Sequence, residues 1–209
     1  VPVSAGTGLV KLEKNGKTLT GPSFTYQGNG WVSTISLSGV TTTLNTPTGI
    51  TRDASGNLIV CDRDNHRILK ITTAGVTTVL AGSGIAGFSN GTGTAAQFNQ
   101  PYSIVGDASG NFYVSDRMNN AIRKITSAGV VTTLAGNGAG ASVDGTGAAA
   151  SFAEPLGIAL TSTGNLYVTD YATQKIRKIT MAGVVTTVVT GYMAFGLVAL
   201  FVSAIGMFN

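Results

Sequence analysis

Residues 101–136 read PYSIVGDASGNFYVSDRMNNAIRKITSAGVVTTLAG, and the same pattern begins 54 residues earlier at Pro47 and 54 residues later at Pro155. Each copy contains four short segments rich in Val, Ile, Thr and Tyr, a composition typical of β-strands. A Gly-Asn pair, a segment after an Asp, and an Ala-Gly pair separate the four segments, and these residues favour tight turns. Four antiparallel strands in a tandem unit of about 50 residues predict the blades of a β-propeller.

These repeats resemble the NHL repeat family. The resemblance rests on the leading Pro, on Gly-Asn-Leu-Tyr-Val-x-Asp and on Gly-Val-x-Thr-Leu-Ala-Gly, and it extends from Pro47 to about Gly191. The linkers Asn90-Gly91-Thr92-Gly93 and Asp144-Gly145-Thr146-Gly147, each followed by Ala-x-Phe, strengthen it. The resemblance implies a propeller. It implies no single function, because members of the family bind proteins or RNA, act as sensors or, in distant relatives, as lyases and lactonases.

The sequence predicts an all-β chain with three NHL-type blades, a degenerate N-terminal blade and a C-terminal hydrophobic helix. The predicted segments are residues 1–46, 47–100, 101–154, 155–190 and 191–209. In the first segment, strand-like runs flank Asn15-Gly16, Ser23 to Tyr26 reads as a further strand, and Trp31 to Leu44 resembles the end of a blade. Four blades are few for a propeller, so an open arc would need a partner or a second copy.

The repeat stops at Gly191, where GYMAFGLVALFVSAIGMFN begins. If this uncharged segment forms a helix, its length approaches the thickness of a membrane's hydrocarbon core. We therefore expect a transmembrane anchor. Gly196, Ala199, Ser203 and Gly206 fall on one face of that helix, which favours close packing against another membrane helix. A tail that packs on the propeller or in an oligomer is the alternative. Because the chain starts at Val1 without a methionine, we expect a processed chain or a fragment.

The composition offers little reactive chemistry. Only 11% of the residues are charged. The one cysteine, Cys61, excludes an internal disulfide, and with the one histidine, His66, it cannot form a Cys/His zinc cluster. The two glutamates, Glu13 and Glu154, do not repeat, which disfavours a paired-carboxylate glycosidase. Asp62, Asp116 and Asp170 do repeat, and we interpret them as structural turn residues. We therefore predict no catalytic residues, no metal site and no cofactor.

Basic residues recur at equivalent strand positions in the three repeats. These candidate partner-binding positions are Lys70, Arg123, Lys124, Arg177 and Lys178. A positive stripe could bind RNA. A solvated blade edge or a contact with an acidic partner is the preferred interpretation, because lysines also protect strand edges from pairing.

We expect a non-enzymatic interaction module, a propeller tethered to a membrane as an accessory subunit of a membrane protein assembly. Its partners would be other protein subunits, mostly membrane-embedded, together with membrane lipid. Its low charge and polar neutral surface favour the lumenal, periplasmic or extracellular side, with secretion as the alternative. A self-assembling extracellular structural protein and a calcium-dependent lactonase- or lyase-like enzyme remain alternative functions. The sequon Asn90-Gly91-Thr92 is usable only on a eukaryotic secretory route.

Overall fold

The structure is a computed structural model that describes residues 7–14, 17–25, 38–39 and 43–191. The chain divides into two compact units, Val1–Ser36 and Leu37–Asn209. In the first unit, β1 (Thr7–Lys14) and β2 (Lys17–Thr25) form a two-stranded antiparallel sheet on either side of Asn15-Gly16. The predicted hairpin is therefore present. Residues 23–25, predicted as a separate strand, instead form the end of β2.

The second unit contains three five-stranded sheets, one for each repeat. Blade I consists of β3 (Ser38–Gly39), β4 (Pro47–Arg52), β5 (Leu58–Asp62), β6 (Arg67–Ile71) and β7 (Val76–Ala81). Blade II consists of β8 (Gly91–Thr92), β9 (Pro101–Gly106), β10 (Phe112–Asp116), β11 (Ala121–Ile125) and β12 (Val130–Ala135). Blade III consists of β13 (Gly145–Thr146), β14 (Pro155–Leu160), β15 (Leu166–Asp170), β16 (Lys175–Ile179) and β17 (Val184–Thr190).

Each sheet is an antiparallel meander of four strands whose outermost strand has one more, very short neighbour. The linker before blade II contributes β8, which pairs antiparallel with β12, and the linker before blade III contributes β13, which pairs with β17. In blade I, β3 pairs with β7 in the parallel sense. Each of the two linkers therefore hydrogen-bonds to the outer strand of the blade that follows it.

The first long strands of the blades, β4, β9 and β14, are neighbours across the sheets and form the inner wall of the arc. Thr48 Oγ1 donates a hydrogen bond to the carbonyl of Tyr102, 2.6 Å away. A Cβ atom on Gly49 would lie only 2.7 Å from Ser103 Cα. Glycine at this position thus permits the close approach of β4 and β9.

Two hydrophobic clusters fill the spaces between adjacent blades. The cluster between blades I and II contains Ile59, Ile104 and Val114, and the cluster between blades II and III contains Ile122, Ile158 and Val168. Phe98 and Phe152 reach these clusters from the linkers and are fully buried. Successive side chains of a strand point to opposite faces, so each of the four long strands of blade II contributes to both clusters.

No helix in residues 7–14, 17–25, 38–39 and 43–191 is long and apolar enough to cross a membrane. The predicted anchor begins at residue 191, and its remainder, residues 192–209, lies outside the described part of the chain. The proposed packing face, Gly196, Ala199, Ser203 and Gly206, lies there too.

Candidate functional site

The recurring aspartate of blade II, Asp116, ends β10 and is fully buried. Its Oδ1 accepts a hydrogen bond from the Asn99 main chain at 2.8 Å. Its Oδ2 accepts bonds from Asn119 Nδ2 and from Arg123 Nη1, both at 2.8 Å. Burial raises the pKa of Asp116 to about 6, although Arg123 and Asn119 favour its ionised form. The carboxylate therefore hydrogen-bonds to three segments: the linker through Asn99, the following turn through Asn119 and strand β11 through Arg123.

Arg123 is itself enclosed by the linker before blade II. Its guanidinium carbon lies 4.9 Å from the ring centre of Phe88 and 5.3 Å from that of Phe98. Its Nη2 donates to the Ser89 carbonyl and to Asn90 Oδ1, each at 2.9 Å. Asn90, the residue of the predicted sequon, thus holds a buried arginine through its side-chain oxygen.

Blade III repeats this arrangement with different supporting residues. Asp170 accepts from Arg177 Nη1 at 2.9 Å and from Ser142 Oγ at 2.6 Å, so Ser142 supplies the bond that Asn119 supplies in blade II. Asp144 replaces Asn90 and accepts from Arg177 Nη2 at 2.8 Å. Arg177 also lies over the Phe152 ring, 5.1 Å from its centre.

Blade I holds its aspartate by a rearranged pair. Leu69 occupies the strand position of Arg123 and Arg177, and it is fully buried. Arg67, two residues earlier, turns inward, and its Nε donates to Asp62 Oδ2 at 2.8 Å. All three recurring aspartates are consequently engaged by arginine within their own blade, in agreement with a structural role for Asp62, Asp116 and Asp170.

His66 joins blade I to blade II. It adopts a left-handed conformation, as do Asn120 and Gln174 at the same position of blades II and III. The main-chain N–H of Gln100 donates to His66 Nδ1 at 3.1 Å, and the N–H of Glu154 donates to Asn120 Oδ1 at 2.9 Å. The histidine and the asparagine therefore perform the same task, which is to accept a hydrogen bond from the next blade.

The predicted basic positions separate into two groups. Arg123 and Arg177 are fully buried in ion pairs, so they do not lie on a surface that a partner could contact. Lys70, Lys124 and Lys178 are half-buried at equivalent positions. Lys70 Nζ lies 2.9 Å from Asp53 Oδ2. The five residues thus form no continuous positive stripe.

The first turn of each blade explains why only Lys70 has this partner. In blade II, Tyr113 replaces Ile59, and its hydroxyl donates to Asp107 at 3.0 Å. In blade III, Thr161 replaces the aspartate altogether. Burial, with the bond to Asp107, raises the pKa of Tyr113 to about 12, so the phenol remains a donor. Side-chain bonds from Asn57 and Lys70 hold the pKa of Asp53 far below its usual value.

Three exposed apolar side chains lie on the linker before blade II and on the turn after β10, and we call these residues the blade II apolar patch. They are Ile85, Phe88 and Met118, which are 67%, 42% and 46% exposed. Asn119 Nδ2 donates to the Gly87 carbonyl at 2.7 Å and so joins the turn that carries Met118 to the linker that carries the other two. The equivalent residues of blade III are Ala139, Ser142 and Ala172. The fold therefore does not need large apolar residues at these positions.

The pattern within any single repeat does not reveal this patch. The patch is visible in the sequence only when equivalent positions of the repeats are compared. Outside the strands, one repeat has large apolar residues where the next has small or polar ones.

The remaining candidates for reactive chemistry are the cysteine and possible metal ligands. Cys61 is fully buried, and burial raises the pKa of its thiol. Within the described residues, no three His, Cys, Asp or Glu side chains come together as a metal-binding group.

Comparison with known families identifies the repeat. The NHL repeat model matches residues 44–71 and 152–179, which contain β4, β5 and β6 of blade I and β14, β15 and β16 of blade III. A chloroplastic protein of Arabidopsis thaliana, SUPPRESSOR OF QUENCHING 1, is 33% identical over 94 residues. That alignment covers 44% of this chain and 9% of the plant protein.

Solved structures share the fold. A Bacteroides thetaiotaomicron protein of unknown function is 29% identical with a TM-score of 0.55, covering 59% of this chain and 32% of that one. A catalytically inactive virginiamycin B lyase from Staphylococcus aureus is 19% identical with a TM-score of 0.54, covering 83% and 47%. An auxiliary nutrient binding protein from Bacteroides ovatus is 24% identical with a TM-score of 0.56, covering 67% and 37%. The chain thus spans less than half of each solved relative.

Proposed function

Because the chain carries NHL repeats folded as propeller blades, we propose that it is a protein-interaction module that binds a partner through the blade II apolar patch. The observation that carries this proposal is the contrast between equivalent positions of two blades. Blade III has Ala139, Ser142 and Ala172, whereas blade II exposes Ile85, Phe88 and Met118. Clustered exposed apolar side chains on a soluble surface mark interaction sites.

Phe88 is suited to be the central contact. One side of its ring lies over the buried Arg123 guanidinium, and the ring also lies beside the Gly138 main chain. An aromatic side chain fixed in this way loses little conformational entropy when a partner binds, so more of the contact energy is available for affinity. Binding energy in protein interfaces is concentrated in such central, desolvated residues.

The test replaces the patch with the residues that blade III uses. The full chain with Ile85→Ala, Phe88→Ser and Met118→Ala should fold normally and bind its partner about 30-fold more weakly or worse, because central contacts contribute about 2 kcal/mol or more. The partner is identified by photo-crosslinking in the source cells from Ala86, an exposed residue between Ile85 and Phe88 that the triple variant retains. The matched control is Val130→Thr, which removes an apolar side chain that is 38% exposed on the outer strand of the same blade.

Equal recovery of the crosslinked partner by the triple variant and the wild-type chain would contradict the proposal. If the crosslinked partner is a second copy of the chain, the patch serves self-assembly and the alternative of a structural protein is favoured. Sedimentation of the purified chain with and without the three substitutions distinguishes the two cases.

The location remains part of the proposal. Attachment to a membrane, as part of a membrane assembly, rests on the uncharged apolar composition of residues 191–209. The lumenal, periplasmic or extracellular side rests on the low share of charged residues and the polar neutral composition of the blades. Deletion of residues 191–209 should move the chain from the membrane fraction to the soluble fraction. A deleted chain that stays with the membrane would contradict the anchor but leave the patch proposal intact.

A further inference from the structure

A cleft of about 610 Å³ opens at the end of the propeller opposite to the buried aspartate turns. It forms where the inner strands of the three blades finish, and Thr51, Val105 and Leu160, one residue from each of these strands, line it. The first turns of blades II and III, residues 107–109 and 161–164, form its rim. Its volume falls in the range of about 300–1,000 Å³ that small-molecule sites occupy.

The walls and the rim differ in chemistry. Val105, Leu160 and Met181 provide apolar surface, and Ala108 extends it at the rim. Thr51, Ser109 and Ser162 also line the cleft, and no hydrogen bond joins their hydroxyl groups to the other described residues. These hydroxyls can both donate and accept hydrogen bonds.

The hydrogen-bonding positions of the one charged side chain in the cleft are already occupied. Asp107 is the one charged residue among those that line it. Its Oδ1 accepts from the main chains of Ser109 and Asn111 at 2.9 and 2.8 Å, and its Oδ2 accepts from Asn111 Nδ2 and Tyr113 at 2.9 and 3.0 Å. A carboxylate offers about four such positions, so Asp107 has none left to accept a hydrogen bond from a cationic ligand. An anion would meet uncompensated negative charge.

We propose that this cleft binds a neutral polyhydroxylated ligand of the class of a monosaccharide or disaccharide. Such a molecule presents hydroxyl groups along its edge and C–H groups on its face, which match the hydroxyl rim and the apolar walls. A neutral ligand also avoids the desolvation of an ion. The site is independent of the blade II apolar patch, which lies on the linker and the turn after Asp116.

The test titrates the 15N-labelled full chain with methyl β-D-glucopyranoside, in a detergent without a sugar headgroup if the chain requires detergent. Saturable shifts are expected for the amides of Gly106, Ala108 and Gly164, with a dissociation constant on the order of 1 mM, typical of a small neutral ligand. Inorganic phosphate, titrated in parallel, should produce no saturable shift at these amides.

Two turn variants form a matched pair. Ala108→Trp fills the cleft and should weaken sugar binding about tenfold or more, whereas Ala54→Trp changes the same turn position in blade I and should leave it unchanged. Ser162→Trp fills the cleft from blade III and should repeat the effect if Ala108→Trp does not fold. Thr51→Val with Ser109→Ala, which removes two hydroxyls at nearly constant volume, should weaken binding several-fold.

The proposal is overturned if the amides around the cleft show no saturable shift up to the solubility of the sugar. It is also overturned if the tryptophan variants of the cleft bind the sugar as the wild-type chain does, or if phosphate binds there in place of the sugar.

Discussion

A buried carboxylate is stable only when a cation and further donors replace the water it has lost, because desolvation costs several kcal/mol per ion. Asp116 and Asp170 pair with Arg123 and Arg177. Asp62 pairs with Arg67, which lies two positions earlier in the equivalent strand. Blade I shows that the position of the arginine can change while the ion pair remains. What the three blades share is thus the aspartate–arginine ion pair and not the position of the arginine.

Asp116→Ala should lower the free energy of unfolding by about 3–5 kcal/mol, because it leaves the Arg123 guanidinium buried without its carboxylate. Asp64→Ala is the control, since Asp64 pairs with Arg63 in a partly exposed position and such pairs contribute about 0–1 kcal/mol. Urea unfolding of both variants measures the difference. Similar losses in the two variants would contradict the assignment, as would a double variant Asp116→Ala, Arg123→Met that is less stable than Asp116→Ala alone.

The sequence could predict that the aspartates are structural, because their turn pattern repeats. It could not separate Arg123 and Arg177 from the neighbouring lysines, although all lie in the same strands. Which side of a strand reaches the linker depends on packing between blades, and that is a long-range property. The Arg67 and Leu69 exchange is visible in the sequence only once the aspartate partner is known.

At the scale of elements, the spacing between blades depends on how closely the inner strands approach. Gly49 faces the Ser103 main chain, whereas Gly140, in a linker, faces only the tip of the Asn120 side chain at 3.6 Å. Neither glycine has a left-handed φ. A methyl group therefore acts at these two positions through space alone, not through backbone strain.

Gly49→Ala should destabilise the protein by about 1–3 kcal/mol, because main-chain atoms of β9 must move to admit the methyl group. Gly140→Ala should change stability by no more than about 0.5 kcal/mol, since the methyl group meets only an ordinary contact. Thermal unfolding measures both variants. A Gly49→Ala protein as stable as the wild type would show that the inner strands can separate without cost.

The four long strands of each blade follow directly from the repeat, because period-two patterns and turn residues mark their ends. The short strands β8 and β13 were not predicted. A two-residue Gly-Thr strand has no periodicity of its own, and its pairing with β12 or β17 depends on residues about 40 positions away. The prediction of a separate strand from Ser23 is wrong for a similar reason. Gly21-Pro22 locally favours a break, but β2 continues through it to Thr25.

At the scale of the whole molecule, aspartates with lowered pKa values connect stability to pH. Arg63 and Thr46 lower the pKa of Asp64 to about 2. Asn57 and Lys70 lower the pKa of Asp53. For Asp107 and Asp144, burial opposes ionisation, but hydrogen bonds outweigh it and lower the pKa. Such groups stabilise the fold above the unfolded pKa of about 3.9, and this contribution is lost as the pH falls through the folded values.

The urea midpoint should therefore fall steadily below about pH 4. Asp116, whose pKa is raised, acts in the opposite sense between about pH 4 and 6, so the comparison is made below that range. Asp107→Thr, which installs the residue of blade III, should lower the midpoint at pH 7 and flatten its decline below about pH 4. A variant that declines as steeply as the wild type would show that Asp107 contributes nothing to the acid sensitivity.

The surfaces proposed for binding are the least predictable from sequence. The blade II apolar patch combines a linker with a turn about 30 residues away, and the cleft combines ends of strands from three repeats. Both depend on how the repeats are arranged around the axis. The predicted anchor and its packing face rest on the sequence alone.

Each linker is attached to the blade that follows it. The structural module that could be duplicated or removed therefore has different boundaries from the sequence repeat. The sequence motif starts at the proline of the inner strand, but a self-sufficient module starts where the preceding outer strand ends. Residues 82–135 contain the linker, its edge strand, its buried phenylalanine and all of blade II, whereas residues 101–154 separate the blade from its own edge strand. An evolving or engineered array would gain or lose whole modules cleanly only with the first pair of boundaries.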